Sequence, residues 1–142
     1  MPEVSLSKAR SIVRNVIKAG RELELKPLSV VVLDTGGHVK AFEREDGASP
    51  GRFDMARAKA YGAVMTGFPG SLQISRAEEQ AYFMTALNGA FDGKVLPVPG
   101  GVILKDGRGR TVGAVGVTGD TSDNDAKAAV AGIEAAGLSP VA

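Results

Sequence analysis

The sequence predicts an α+β fold in which an antiparallel sheet of about five strands is flanked by helices. Three observations support this class. Segments with the apolar period of a helix alternate with short apolar strand segments. Two pairs of strand segments are joined by tight turns that contain glycine, as in β-hairpins. Helices separate these hairpins, so the expected order of elements is α-β-β-α-α-β-β-β-α.

The first third of the chain predicts a helix followed by a hairpin. Apolar residues recur at helical spacing over residues 5–24, with Ser5 as a plausible N-cap and Pro27 just beyond the end. Residues 28–33 are apolar at both parities, which predicts a strand covered on both of its faces. The second strand of the hairpin is expected over Val39–Arg44.

The middle of the chain predicts two more helices. The first runs over Arg52–Thr66 and carries small residues on one face, which allow a neighbour to approach closely: Ala56, Ala60 and Ala63. Together with the other apolar helical faces, this stripe offers more apolar surface than a single thin sheet can cover. The excess predicts self-association. Ser75 and Glu78 form an S-x-x-E capping box, which predicts another helix that runs to about residue 89.

The last third predicts three strands and a closing helix. The strands are expected over residues 94–98, 102–105 and 111–118, and the DGRG turn at residues 106–109 makes the last two a hairpin. The closing helix begins near Ser122 and ends at Gly137. Its spacing predicts four inward-facing residues: Ala126, Ala129, Val130 and Ile133.

Composition excludes several classes of protein. The 142 residues suit one domain, expected over residues 1–142, and no window is apolar enough to span a bilayer. The N-terminus has no pattern of an export signal, so a cytoplasmic location without membrane attachment is expected. Cysteine is absent, which excludes disulfides and thiolate sites. The net charge is +1 with both signs interleaved, so no nucleic-acid partner is expected.

Asp34-Thr35-Gly36 follows a buried strand, as the catalytic loop of an aspartic protease does. Retropepsin-like proteases are nearly all β and need a second Asp loop, because the two carboxylates must share a proton. The four predicted helices contradict that architecture. The sequence instead favours a hairpin turn in which Gly36 and Gly37 supply positive-φ positions. In that turn the Asp34 carboxylate accepts hydrogen bonds from the turn's own amides.

The chain lacks the motifs of common cofactor and metal sites. It contains no G-x-x-x-x-G-K-[ST] phosphate loop and no G-x-G-x-x-G between a strand and a helix. His38 is the sole histidine, which excludes a multi-histidine metal site. Asp120, Asp123 and Asp125 could form an all-carboxylate site. Their position at a predicted helix start favours capping and dipole interactions instead, and no metal is expected.

Two further features could bind a small anionic ligand. Arg52 and Lys59 are seven residues apart, which places both along one edge of a helix, although such residues are more often simply solvated. The segment 97–101, Pro-Val-Pro-Gly-Gly, combines rigidity with permissive glycines. Pro99, Gly100 and Gly101 can therefore bring backbone amides to a ligand, or can merely begin a strand.

Five short motifs occur in order along the chain. They are DTGGHV at 34–39, EDGA at 45–48, ARAKA at 56–60, VPGGV at 98–102 and VGAVGVTG at 112–119, and an acidic residue, Asp125, follows them. Over roughly residues 4–136 the sequence thus resembles the GlcG/HbpS family, the haem-degrading-type domain also found as the C-terminal part of PduO proteins. The chain differs from the usual family pattern at Thr118 and Asp120, and at Tyr61-Gly62, positions expected near the ligand cleft.

The resemblance implies a profilin-like layered sandwich that assembles into a homodimer or a larger even-numbered oligomer. It also implies a small-molecule ligand, with haem or a related tetrapyrrole as the ligand class. The residues expected to bind the ligand are His38, Arg52, Lys59, Pro99, Gly100, Gly101 and Asp125. His38 follows the hairpin turn and could be an ordinary surface histidine that caps it. For haem iron it is the first candidate ligand, because the chain has no other imidazole and no thiolate, and Tyr61, Tyr82 and the methionines remain as substitutes.

Two other functions stay open. The chain could be an enzyme of a catabolic pathway that acts on a small carboxylate, with Lys59 and Arg52 binding the anion and His38 or Asp125 moving a proton. It could also be a non-catalytic assembly subunit whose cleft is incidental.

Overall fold

Five helices and five strands form the structure, a computed structural model that describes residues 2–142. The helices are α1 (Leu6–Glu22), α2 (Arg52–Thr66), α3 (Gly70–Glu79), α4 (Ala81–Ala90) and α5 (Ser122–Ala135). The strands are β1 (Ser29–Leu33), β2 (Val39–Arg44), β3 (Gly101–Lys105), β4 (Thr111–Thr118) and β5 (Ser139–Val141). They form one antiparallel sheet in the order β2-β1-β4-β3-β5, so the predicted fold class is confirmed.

The sheet separates two helical layers. Alternate residues of a strand face opposite sides, so Val115 and Val117 of the central strand β4 point into the core beneath α1 and α5. Ala114 of the same strand points to the opposite face of the sheet and packs against α2. All five residues of β1 are buried, as expected for a strand covered on both faces. The side-chain hydroxyl of Ser5 caps α1 by accepting the Lys8 amide, which confirms the predicted N-cap.

Helix α2 lies unusually close to the sheet. Its small residues Ala56, Ala60 and Ala63 are fully buried there. A β-carbon at Gly116 would overlap the backbone carbonyl of Ala56, so only glycine allows this approach. The small-residue stripe is therefore occupied by the protomer's own sheet, and the reason the sequence offered for self-association does not apply.

The fifth strand of the sheet is not the expected one. Residues 94–98 form no strand but an extended connection from α4, in which the Val95 amide donates to the Asn88 side chain at 2.9 Å. Instead the short β5 near the C-terminus pairs antiparallel with β3. Its three residues, which include Pro140, give no alternating apolar pattern that could have predicted a strand.

The helix expected over residues 75–89 is two helices, and the capping-box assignment is wrong. Ser75 lies in the middle of α3, where its hydroxyl donates to the Ser71 carbonyl at 3.1 Å. The chain leaves helical geometry at Gln80 (φ −138°) before α4 begins. Helix α3 starts earlier because Gly70 can sit against the Val98 carbonyl, where a β-carbon would overlap.

Helix α5 is rotated from the expected orientation. Ala129 and Ile133 face inward as predicted, but Ala126 and Val130 lie on the outer face, beside a shallow groove. Asp125 is buried in place of Ala126, because its carboxylate pairs with a lysine from the opposite layer. Gly137 follows the helix with φ +88°, which confirms it as the stop. Within residues 2–142, no helix has the length and apolar character to cross a bilayer.

Candidate functional site

The turn between β1 and β2 is organised by Asp34. Its carboxylate oxygen Oδ1 accepts the amides of Gly36 and His38, each at 2.9 Å, which confirms the predicted hairpin turn. Gly37 adopts φ +81°, but Gly36 does not have a positive φ, so one of the two expected positions is wrong. The carboxylate of Glu3 holds the outer side of the turn by accepting both the amide and the hydroxyl of Thr35.

The imidazole of His38 is oriented by the same carboxylate. Its Nδ1 lies 3.3 Å from Asp34 Oδ1, and 81% of the side chain is exposed. Partial burial acts to raise the pKa of Asp34, but the His38 and Gly36 amides and the imidazole outweigh it, and the pKa lies below its ordinary value. With Nδ1 directed at a carboxylate, Nε2 is the ring nitrogen left for a ligand.

His38 lines a cleft of about 360 Å³ between this turn and α2. Helix α2 contributes Arg57 and Tyr61, which lie one helical turn apart, and Lys94 closes the far side. The Lys94 ammonium lies 5.6 Å from the centre of the Tyr61 ring, and Phe91 packs edge-on against the same ring at 5.8 Å. The cleft thus combines one imidazole, one phenol and two cations.

Lys59 and Asp125 form a buried ion pair away from this cleft. The Lys59 ammonium lies 3.1 Å from Asp125 Oδ2, with side-chain exposures of 2% and 1%, and it also donates to the Val117 carbonyl at 3.0 Å. The other Asp125 oxygen accepts the Asp120 amide at 2.9 Å. Burial lowers the pKa of Lys59, Arg52 acts in the same direction, and Asp125 opposes both. The pair links α2 on one face of the sheet to α5 on the other.

Arg52 lies near this pair at the start of α2. Its Nη1 donates to the hydroxyl of Thr118 at 2.8 Å, so the departure from the family pattern at position 118 preserves a hydroxyl that Arg52 contacts. Ser29 pairs with Thr118 across the sheet, and its buried hydroxyl has no hydrogen-bond partner among residues 2–142. The buried hydroxyls of Ser29 on β1 and Thr118 on β4 therefore lie beside the half-buried guanidinium of Arg52.

The two glycines of the segment 97–101 pack on Lys59. Gly100 adopts φ +113° and its carbonyl accepts the Val117 amide at 3.0 Å. A β-carbon at Gly101 would overlap the Lys59 carbonyl, and Pro99 lies against Gly70 at the start of α3. In this segment, glycine is needed for close packing of the backbone around a lysine.

The structure brings most of the predicted site residues together but leaves His38 apart. Thr118, at the Arg52 end, pairs with Ser29, while His38 lies beyond Leu33 at the other end of β1. Ser29 and Leu33 are about 13 Å apart at the usual rise of a strand. The arrangement imagined for a carboxylate-processing enzyme, with Lys59, Arg52 and His38 around one substrate, is therefore not a single site in this protomer.

The acidic residues around the start of α5 do not supply its N-cap, although Asp123 and Asp125 lie in the first turn, where negative charge suits the helix dipole. Thr121 is the N-cap, and its hydroxyl accepts the Asn124 amide. Hydrogen bonds to the Asp120 carboxylate from the Lys26 amide, the Asn124 side chain and the Thr121 amide lower the pKa of Asp120 to about 2. Among residues 2–142, no three His, Asp or Glu side chains converge in a way that could hold a metal ion.

A second charged cleft, of about 470 Å³, lies between α1 and β2. Its α1 wall carries Arg14, Lys18 and Arg21, and Glu43 and Glu45 lie opposite. Arg21 and Glu45 form an ion pair at 3.3 Å. Because both signs of charge line it, this cleft shows no preference for an anionic ligand.

Sequence reasoning missed two residues of the His38 cleft, Arg57 and Lys94. Arg57 lies inside the ARAKA motif, and Lys94 lies in a segment that was expected to be a strand. Neither has a local signal that separates it from the other exposed cations of the chain. Tyr61 was noted as a departure from the family pattern near the cleft, and it does line the cleft.

The fold is similar to several solved structures. A PduOC:haem complex matches with a TM-score of 0.84 and 22% identity, over 96% of each chain. Klebsiella pneumoniae protein ORFY matches with a TM-score of 0.84 and 21% identity, over 96% of this chain and 92% of that one. At these identities, the likeness shows the fold alone.

A closer sequence match is a double mutant of HbpS from Streptomyces reticuli, with 27% identity and a TM-score of 0.80, over 95% of this chain and 88% of that one. No curated protein sequence matches the chain at a significant level. The profile of one family, described as haem degrading protein HbpS-like, matches residues 4–134. The chain therefore belongs to the HbpS-like haem-degrading protein family.

Proposed function

We propose that this protein binds haem or a related tetrapyrrole in the cleft between the β1–β2 turn and α2. The observation that carries the proposal is the position of His38. The chain's sole imidazole lines the cleft, and a carboxylate at 3.3 Å engages its Nδ1. Metal-ligating histidines are commonly oriented in this way, with the second ring nitrogen free for the metal. Membership of the HbpS-like family and the similar PduOC:haem complex support the ligand class.

The residues of the cleft fit an iron tetrapyrrole. His38 Nε2 would ligate the iron, and the phenol of Tyr61, which comes from α2, would either ligate the iron or pack against the macrocycle. At about 360 Å³ the cleft is at the small end of ligand pockets, so a macrocycle would remain partly exposed in one protomer. When bound, haem supplies an iron centre whose reactivity depends on its axial ligand and surroundings.

Haem titration of single variants tests the proposal. We expect His38→Ala to abolish the Soret shift that the parent protein shows with haem, with the fold and the oligomeric state unchanged, because the side chain is largely exposed. Tyr61→Phe removes the phenol of the cleft, and Tyr82→Phe is its matched control. Tyr82 lies on α4 and is 72% exposed, and it does not line the cleft.

Each outcome has a definite meaning. A normal Soret shift in His38→Ala together with a lost shift in Tyr61→Phe would transfer the axial role to the phenol. Normal shifts in both variants would overturn the proposed site. Loss of the shift in Tyr82→Phe as well would show that haem adsorbs to the surface without a defined ligand.

We also propose that the protein is a homodimer or a larger even-numbered oligomer. The buried alanine stripe no longer supports this, but exposed apolar side chains on α3 and before it do. Phe68 and Leu72, 38% and 55% exposed, line one groove of about 200 Å³. Light scattering at micromolar concentration tests the assembly, and the mass of a monomer would contradict it.

A further inference from the structure

The charged residues that line the His38 cleft are all cations. Arg57 and Lys94 line it, and none of its other lining residues is acidic: they are Gly36, Gly37, His38, Val39 and Tyr61. The α1–β2 cleft differs because acidic residues face its cations. A ligand in the His38 cleft therefore experiences two positive charges that no carboxylate of the cleft wall neutralises.

Both cations are available for a ligand. The nearest acidic group to Arg57 is Asp54 at 3.9 Å, a weak contact with a carboxylate that is 79% exposed. Lys94 forms no salt bridge with any residue of the part of the chain that the structure describes, and its ammonium lies over the Tyr61 ring. Lys59 shows the contrast, since Asp125 and a backbone carbonyl already engage its ammonium.

The two cations occupy different places along the cleft. Arg57 lies one helical turn before Tyr61 on α2, and its guanidinium is held over the Phe53 ring at 5.5 Å. Lys94 comes from the connection after α4 and lies on the Tyr61 ring. Because the two cations come from different elements and rest on different aromatic rings, each can engage an anionic group of its own.

We infer that the cleft selects a ligand with two carboxylates, and that Arg57 and Lys94 each bind one of them. Within the proposed function, on which this inference rests, the ligand class is a dicarboxylic tetrapyrrole and excludes esterified or uncharged macrocycles. Arg57 and Lys94 would hold the acidic groups of the macrocycle, and His38 would be the residue that ligates its metal. Arg57 and Lys94 are thus specificity residues, distinct from the axial ligand.

Paired ligands and paired variants test this inference. Affinities for iron protoporphyrin and for its dimethyl ester are measured with the parent protein, Arg57→Gln, Lys94→Gln and the double variant. Lys127→Gln is the control, because Lys127 is exposed on the outer side of α5, on the opposite face of the sheet from α2. We expect each single variant to bind the diacid about fivefold more weakly, as for a partly exposed charge pair. The dimethyl ester has no carboxylates, and the double variant lacks both cations. The parent protein should therefore bind the ester about as weakly as the double variant binds the diacid.

Metal-free protoporphyrin separates this inference from the axial role of His38. It cannot be ligated through iron, so His38→Ala should not change its binding, while the Gln variants should still weaken it. Equal binding of diacid and ester by the parent would overturn the inference and leave the haem proposal intact. The opposite result is that the parent protein still prefers the diacid but His38→Ala keeps a normal Soret shift. That result would overturn the role of His38 as iron ligand, and the roles of Arg57 and Lys94 would stand.

Discussion

The buried pair of Lys59 and Asp125 leads to a sharp prediction about stability. The substitution Asp125→Asn removes the negative charge but keeps the shape of the side chain and an oxygen that can accept the Asp120 amide. The Lys59 ammonium, 2% exposed, then has no counterion in the space between the two helical layers. Removal of one partner of a buried ion pair typically costs about 3–5 kcal/mol of unfolding free energy.

Two features of the structure narrow the expected loss of unfolding free energy. The ammonium keeps its hydrogen bond to the Val117 carbonyl, which partly solvates the charge. The lysine can also lose its proton, and for a lysine of ordinary pKa this costs about 4.6 kcal/mol at pH 7, which sets a ceiling on the loss. Because burial already lowers the pKa of Lys59, the true ceiling is lower. We therefore expect Asp125→Asn to destabilise the protein by about 3 kcal/mol.

Urea denaturation followed by circular dichroism measures the loss, and a double-mutant cycle isolates the pair. Lys59→Met together with Asp125→Asn removes both charges, and it should cost about 2 kcal/mol less than the sum of the two single variants. Asp54→Asn, at a carboxylate 79% exposed on the same helix as Lys59, is the control and should change stability by less than about 0.5 kcal/mol. If Asp125→Asn behaved like this control, the pair would not be a closed, desolvated link between the layers.

Three further predictions follow from single positions. Gly37→Val should cost about 1–3 kcal/mol, because φ is +81° and a β-carbon would lie 2.7 Å from a methionine side chain, whereas Gly107→Ala, in open space, should melt like the parent. Asp120 has a folded-state pKa of about 2, below its unfolded value, so its contribution to stability is present above pH 4 and is lost as the pH falls towards 2. Urea midpoints of Asp120→Asn should accordingly fall less steeply over that range than those of the parent or of Asp123→Asn. If the proposed oligomer forms through the Phe68–Leu72 groove, Leu72→Glu should give the mass of a monomer in light scattering, and an oligomer of unchanged mass would show that this groove is not the interface.

The elements that the sequence predicted well are those in which local pattern and tertiary burial agree. The bounds of β2, α2 and β4 were predicted to the residue, because glycine or proline turns lie at both ends of each element. Helix α1 was also found, although it ends at Glu22 rather than at residue 24. Helix α1 buries the apolar face that the period of its own sequence marks.

The missed elements depend on contacts that are distant in the chain. The strand β5 exists because the edge of β3 is open to it, and three residues around Pro140 show no period of their own. Helix α3 begins at Gly70 because the backbone of Val98 passes against it, a contact that no local signal reveals. The burial of Asp125 in α5 requires Lys59, 66 residues away along the chain. In each case the competing local pattern was weak, and a tertiary contact decided the outcome.

The difference between local pattern and distant contact also explains why the family could be inferred from the sequence while the cleft cations Arg57 and Lys94 could not. The ARAKA, VPGGV and VGAVGVTG motifs meet where α2 touches the sheet: Gly116 admits the Ala56 carbonyl, Gly101 admits the Lys59 carbonyl, and Lys59 reaches across to Asp125. They are packing motifs, and a search for chemistry among them selects residues that the fold itself already engages. The His38 cleft instead draws Arg57 and Lys94 from places where a lone cation is unremarkable in sequence. What distinguishes these two from the other cations is the absence of a carboxylate from the cleft wall, and only the folded arrangement reveals it.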